Sequence, residues 1–370
     1  MSKYDIGGGW TTADFTYYKN EVTGFSETGR EKATENIDLV IPAYYYGEAN
    51  TNSTEKVDVK SIGTRSFDLW QLNSVTISEG IEKIKERAFF NCEIKKIKFP
   101  STLKKIGKQA FIGNMLKEVD FPDGLTAIKN GAFAGNAIEK MSLPGSLTFL
   151  GEESFLGNKL KSLKLPEGVE VIEKSAFYQN EIEEVEFPST LKEIWCSAFT
   201  HNNLKSISFP EELEMIGEYA FAENQLEEIN IPYKVHVIAQ AAFKFNKIKR
   251  LKIPITVNSI GFEAFSQNEI KGLKLENGLE EIEPYAFYNN KIKHLFIPDS
   301  VSIIGKKAFY GCDIENLSVS KNVTTVAEGT FFNNPIRYLN LRGKIDKIEK
   351  NAFPNTKAVE EELLRNAVEN

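Results

Sequence analysis

Apolar positions in this chain follow a fixed spacing measured from a recurring phenylalanine. Five, eight and ten residues after it the chain is apolar, as in Leu160, Leu163 and Leu165 after Phe155, or Ile292, Leu295 and Ile297 after Phe287. Two further apolar positions follow, such as Val169 and Ile172, then a small residue such as Ala176, and then the next Phe. The Phe returns every 22 residues without a slip: Phe67, Phe89, Phe111, Phe133, Phe155, Phe177, Phe199, Phe221, Phe243, Phe265, Phe287, Phe309, Phe331 and Phe353. Alternation in Leu163-Lys164-Leu165 has period two and predicts a short strand buried on one face. Pro166, repeated in nine turns of the pattern, ends that strand because proline cannot donate to a ladder. The spacing from Val169 to Phe177 predicts an extended entry followed by a tight helical or 3-10 turn.

A fixed period of this length is the mark of a solenoid, whose repeats bury their apolar faces only against their neighbours. Three residues after the Phe stands Asn in ten repeats, among them Asn114, Asn180 and Asn224, with Cys92 and Cys312 as stand-ins. An amide at a sharp bend is expected to be buried and bonded to backbone groups that the bend leaves unpaired, forming a ladder from repeat to repeat.

The consensus N-x-L-x-x-L-x-L-P-x-x-V-x-x-I-x-x-x-A-F resembles the BspA-like (treponemal-type) leucine-rich repeats of bacterial surface proteins, over residues 57 to 356. That resemblance implies a leucine-rich-repeat solenoid, a right-handed superhelix of 22-residue repeats rich in strand, with surface display and binding to a host or matrix protein. Departures are few: Glu276, Ser320 and Arg342 replace the proline, and Thr330 the small residue. Each proline replacement is expected to loosen one strand end.

The array predicts one elongated domain flanked by caps. Residues 1–56 read as an N-terminal cap and diverged first repeat, 57–356 as about fourteen repeats, and 357–370 as a capping helix with Val359, Leu363 and Ala367 on one face. Within the first cap, Phe15–Tyr18 and Val22–Phe25 read as a hairpin closing the stack. Residues 1 to 9, ending in Gly7-Gly8-Gly9, read as a tail. Tyr44, Tyr45 and Tyr46 open an insertion before Val59. No apolar h-region opens the chain at Met1–Asp5 and no long apolar run follows, which leaves a cytoplasmic protein or an excised fragment; the glycine-rich start and the resemblance imply the fragment of a surface or secreted protein.

Catalytic chemistry is not visible. His201, His236 and His294 occupy three different repeat positions and cannot share a metal, and no hydrolase, P-loop or EF-hand spacing occurs. The chain therefore reads as a non-enzyme without cofactor. Three cysteines make no disulfide framework, since Cys92 and Cys312 are ten repeats apart and Cys196 stands alone. Asn52-Ser53-Thr54 and Asn322-Val323-Thr324 match glycan acceptors, a motif that is common by chance.

Net charge is −7, which argues against nucleic acid as a partner. Its distribution carries more information. Residues 82–117 hold ten Lys and Arg against three Glu, residues 167–230 fifteen Glu against three Lys, and residues 239–275 seven Lys and Arg against two Glu. Positions seven and nine after the Phe face away from the core. There Glu184, Glu186 and Glu228 would form an acidic patch, and Arg250, Lys252 and Lys274 a basic one, with His294, Phe296 and Tyr338 beyond it. Complementary patches would steer a protein ligand, and exposed Phe296 would anchor it. Tyr44, Tyr45 and Tyr46 are the second candidate contact. The alternative functions are a spacer that presents another module, with its charges serving only solubility, and a carbohydrate-binding accessory.

Overall fold

A computed structural model describes residues 4–47 and 55–369, without the side chains of 368 and 369. The chain packs as two compact units, Met1–Ile182 and Glu183–Asn370. Both units are built from the same coil.

In the first unit, Phe15–Tyr18 and Glu21–Phe25 pair antiparallel, and Glu21–Phe25 then pairs parallel with Ser61–Ile62. From there short strands, one per repeat, continue in parallel: Lys83–Ile84, Lys105–Ile106, Ala127–Ile128 and Phe149–Leu150. A second parallel series runs from Ile37–Ile41 through Leu72–Ile77 to Lys96–Lys98. The first strand of that series lies inside the segment read as cap and diverged first repeat. The Phe25 ring stacks on Trp10 and Phe15, which are tilted to each other, and Phe15 and Phe25 meet Phe67 edge-on, closing the apolar end. The glycine run is not a tail. Asp5–Gly7 pairs antiparallel with Trp10–Thr11, and Gly7 (φ +94°), Gly8 and Gly9 supply the left-handed residues of the intervening turn.

Beneath this lid sits Asp14, buried and salt-bridged to Lys32 at 2.6 Å. Burial opposes its charged form, yet the bonds from Lys32 and from Thr11 N (2.7 Å) hold its pKa below the usual carboxylate value.

The Phe register is the core in both units. From Phe67 to Phe309 every member is fully buried. In the first unit successive rings from Phe67 to Phe177 stack with centroids 5.2–5.8 Å apart; in the second, rings from Phe199 to Phe353 stack at 5.1–5.8 Å. A second, shorter series, Phe99 with Phe121 and Phe187 with Phe209, packs edge-on against it.

The segment around each Phe is a turn, not a helical or 3-10 element. Its residues two before and two after the Phe lie in the left-handed region, for example Tyr219 (φ 57°) and Glu223 (φ 56°) around Phe221. Alternating these conformations turns every second N–H toward the next repeat. Tyr219, Phe221 and Glu223 donate to the carbonyls of Gln240, Ala242 and Lys244, each at 2.9 Å. The bend thus carries a ladder of its own, which an i-to-i−4 helix would have consumed internally.

Asn caps what the turn leaves over, as expected. Asn224 Nδ2 donates to Phe199 O (2.8 Å) and Phe221 O (3.3 Å), while its Oδ1 accepts from Leu204 N (3.1 Å). Where cysteine stands in, Sγ of Cys92 reaches Phe67 O at 2.8 Å and that of Cys312 reaches Phe287 O at 3.0 Å. Burial pushes both thiols up to about 12, so neither offers a thiolate near neutrality. Cys196 is only half-buried. A thiol-specific disulfide reagent at about pH 8 should therefore label Cys196 quickly in the native protein and the other two only on unfolding. Rapid reaction of all three would show that the Asn column opens readily.

At the C-terminal end, Tyr338–Leu341 is the last strand of a three-stranded parallel sheet with Asn316–Val319 and His294–Phe296. The helix Lys357–Glu369 covers its free side. Leu341 N donates to Glu362 Oε1 (2.9 Å), Ile345 N to Asn366 Oδ1 (3.2 Å), and Asn366 Nδ2 to Gly343 O (2.8 Å). Side chains of one helix thus take the place of a further repeat's backbone.

Candidate functional site: the outward strand face

The sequence places Glu184, Glu186, Glu228, Arg250, Lys252, Lys274, His294, Phe296 and Tyr338 on the outward strand face of the second unit. There all nine are exposed. Pairing follows the repeat: Glu228 lies beside Arg250, Arg250 beside Gly272 and Lys252 beside Lys274. Across the other sheet His294, Asn316 and Tyr338 form one row and Phe296, Ser318 and Asn340 the next.

Acidic and basic patches are not separate. Arg250 Nη2 meets Glu228 Oε1 at 2.5 Å, so the last member of one predicted patch neutralises the first of the other. Lys252 and Lys274 converge on Glu276 Oε1 at 3.4 and 2.8 Å. A hydrogen bond from Lys274 is the main cause holding the Glu276 carboxyl below the usual range. Three cations against two carboxylates leave this stretch one charge from neutral. A shallow depression runs over Gly272, where the row lacks a side chain, between Arg250 and Lys274. Glu184 and Glu186 remain exposed on their own strand, and the register puts Ser206 between Glu184 and Glu228.

Glu276, Ser320 and Arg342 do not leave their strand ends loose. Glu276 collects the two lysines just described. Ser320 Oγ donates to Val301 O at 2.6 Å and accepts from Asn322 N at 3.1 Å. Arg342 reaches furthest: its guanidinium donates to Val319 O and Ile297 O, pairs with Asp299 at 2.7 Å and lies 4.4 Å from the Phe296 ring centroid. Phe296 therefore shields an arginine that ties three repeats together, while remaining 56% exposed. His294 Nδ1 and Asn316 Nδ2 are 2.9 Å apart, and Tyr338 is 59% exposed.

The tyrosine triplet is placed differently. Tyr44–Tyr46 pairs antiparallel with Lys56–Asp58, and all three side chains are half-buried. Tyr45 stacks on Tyr17 at 4.2 Å and donates to Lys19 O, Tyr46 meets Tyr4 edge-on, and Lys56 lies over Tyr44. Their aromatic faces are largely used within the first unit. Of the glycan motifs, Asn322 spends its amide on Asp299 O (2.7 Å), and Asn52-Ser53-Thr54 lies outside the described residues. Among the described residues no group of three or more His, Cys, Asp or Glu could hold a metal ion, and no helix is long and apolar enough to cross a membrane.

The family model described as "BspA type Leucine rich repeat region (6 copies)" matches residues 40–161, 126–249 and 238–360. The chain belongs to the BspA-type leucine-rich-repeat family. Its fold is shared by a leucine-rich repeat protein from Bacteroides ovatus, at 23% identity and a TM-score of 0.62, covering 93% of this chain and 91% of that one. A leucine-rich cell surface protein from Faecalibacterium prausnitzii aligns at 22% identity over 94% of this chain and 86% of that chain, with a TM-score of 0.47. None of the curated proteins compared matches this chain. Against the BspA-type pattern, Glu276, Ser320 and Arg342 are positions where this chain exchanges a strand-ending proline for a polar contact.

Proposed function

We propose that this BspA-type chain is a non-enzymatic, surface-displayed scaffold that binds a host or matrix protein through the outward strand face of its second unit. The observation that carries the reading is Phe296. More than half of this ring is exposed on a sheet face, held by Arg342 and flanked by the His294–Asn316–Tyr338 row. A rigid, solvent-facing aromatic is the usual anchor of a protein interface, because its burial on binding costs little side-chain entropy. A pure spacer would be served by an even polar surface. Family membership supports the same reading, since leucine-rich repeats are commonly binding scaffolds.

The charge pairing changes what the face would do kinetically. Because Arg250, Lys252 and Lys274 are met by Glu228 and Glu276, long-range steering is weak and the contact relies on Phe296. Binding to an array of purified plasma and matrix proteins tests this. Phe296→Ala should raise the dissociation rate at least tenfold with little change in the association rate, and unchanged dissociation would move the interface off this face. Charge reversal at Arg250 should alter association only modestly.

A further inference from the structure

We propose that the groove between the last strand, Tyr338–Leu341, and the Lys357–Glu369 helix is a binding site for a neutral sugar residue. A solenoid sheet face is shallow, but here the capping helix rises beside it and makes a cleft of about 560 Å³, within the size range of small-molecule sites. The floor is the outward side of the strand, Tyr338 and Asn340, since Leu339 and Leu341 point into the core. The wall is one helix face, on which Glu361, Glu362, Arg365 and Asn366 follow the three-and-four spacing. Glu362 and Asn366 bond the strand end and the loop after it, so floor and wall are fixed relative to each other before any ligand arrives.

The chemistry of the lining selects the ligand. Among the described residues, the Asn340 amide and the Tyr338 hydroxyl have no hydrogen-bond partner, and no other ring stacks on Tyr338. Glu361 is held only by exposed Lys357 at 3.6 Å, and the exposed Arg365 guanidinium rests on the largely buried Glu362 at 3.4 Å. Amide, carboxylate and guanidinium are planar groups that bond two neighbouring hydroxyls at once, each hydroxyl being both donor and acceptor. An open tyrosine ring offers its face to the C–H side of a pyranose. A protein anchor would find no desolvated apolar centre here, because Tyr338 is the only large apolar surface turned into the cleft. A phosphate would meet guanidinium groups that already have carboxylate partners: Arg342 pairs with Asp299, Arg365 with Glu362, and Arg337 at the rim with Glu315 at 3.7 Å, which Lys293 shares.

Saturation-transfer NMR on the full chain tests the site, with glucose, galactose, mannose and N-acetylglucosamine as probes and glucose 6-phosphate as the charged comparison. At least one neutral sugar should receive saturation. Asn340→Ala and Tyr338→Ala should each weaken its binding about tenfold, the effect of losing one good contact. Both side chains face solvent, so an unchanged melting temperature should accompany the loss. Saturation of no neutral sugar, binding that survives in the double variant, or preference for the phosphorylated sugar would each overturn the proposal. Phe296→Ala should leave sugar binding intact, so failure here and failure of the protein interface are separate results.

Discussion

Replacing Phe221 by alanine should destabilise the second unit by about 3–5 kcal/mol, the range for removing a buried aromatic. The ring is fully buried, stacked on Phe199 at 5.4 Å and Phe243 at 5.7 Å, and touched edge-on by Phe209 at 5.4 Å. A cavity here has walls made by three repeats. Its collapse would have to shift turns whose N–H groups are already bonded to the next repeat, so relaxation is limited. Because neighbouring repeats share the core, the loss should appear in urea unfolding as a lower midpoint across several turns, not as the fraying of one. Asn224→Ala should cost less, roughly 1–3 kcal/mol, by leaving Leu204 N and the Phe199 and Phe221 carbonyls short of a partner. A Phe221→Ala midpoint equal to the parent's would mean that the stack contributes nothing.

Removing residues 357–370 should have the second large effect. The helix buries Val359 and much of Glu362 against the last strand and satisfies Leu341 N, Ile345 N and Gly343 O. Without it, an edge strand with unpaired N–H and C=O groups is open to pairing with another chain. Light scattering should show concentration-dependent association of the truncated chain, together with a lower melting temperature for the second unit. Glu362→Ala with Asn366→Ala in the full chain separates lost hydrogen bonds from lost coverage. That variant should melt lower yet stay less associated than the truncation. A truncated chain that remains monomeric and melts like the parent would show that the helix does not guard the edge.

Much of the outward face is legible in the amino-acid sequence. Period-two alternation identifies outward positions, and all nine predicted residues of the second unit are exposed there. Their partners are half legible. The ion pairs Glu228–Arg250, Glu227–Lys249 and Glu212–Lys234 all join residues 22 apart. Repeats aligned in columns therefore show the acidic and basic bands interlocking. Consecutive stretches of chain hide this, because a stretch mixes several faces. The left-handed turns also leave a trace: seven of the thirteen residues two after the Phe, from Leu69 to Asn333, are Gly or Asn. The residues two before it are chemically mixed and carry no such signal.

What the sequence determined by itself is the repeat. A side chain's inward or outward direction, the Phe stack and the Asn ladder all follow from spacing, because every turn repeats the same local geometry. Tertiary structure alone decided the contacts that break that repetition. Arg342 bonds Asp299, Ile297 and Val319 and lies by Phe296, at separations that no 22-residue column contains. The tyrosine hairpin closes on Tyr17 and Tyr4, and the terminal helix turns a shallow strand face into a cleft. Spacing determines which residues face the same way. Whether a long side chain crosses two strands, or an end segment folds back, depends on reach and packing in three dimensions.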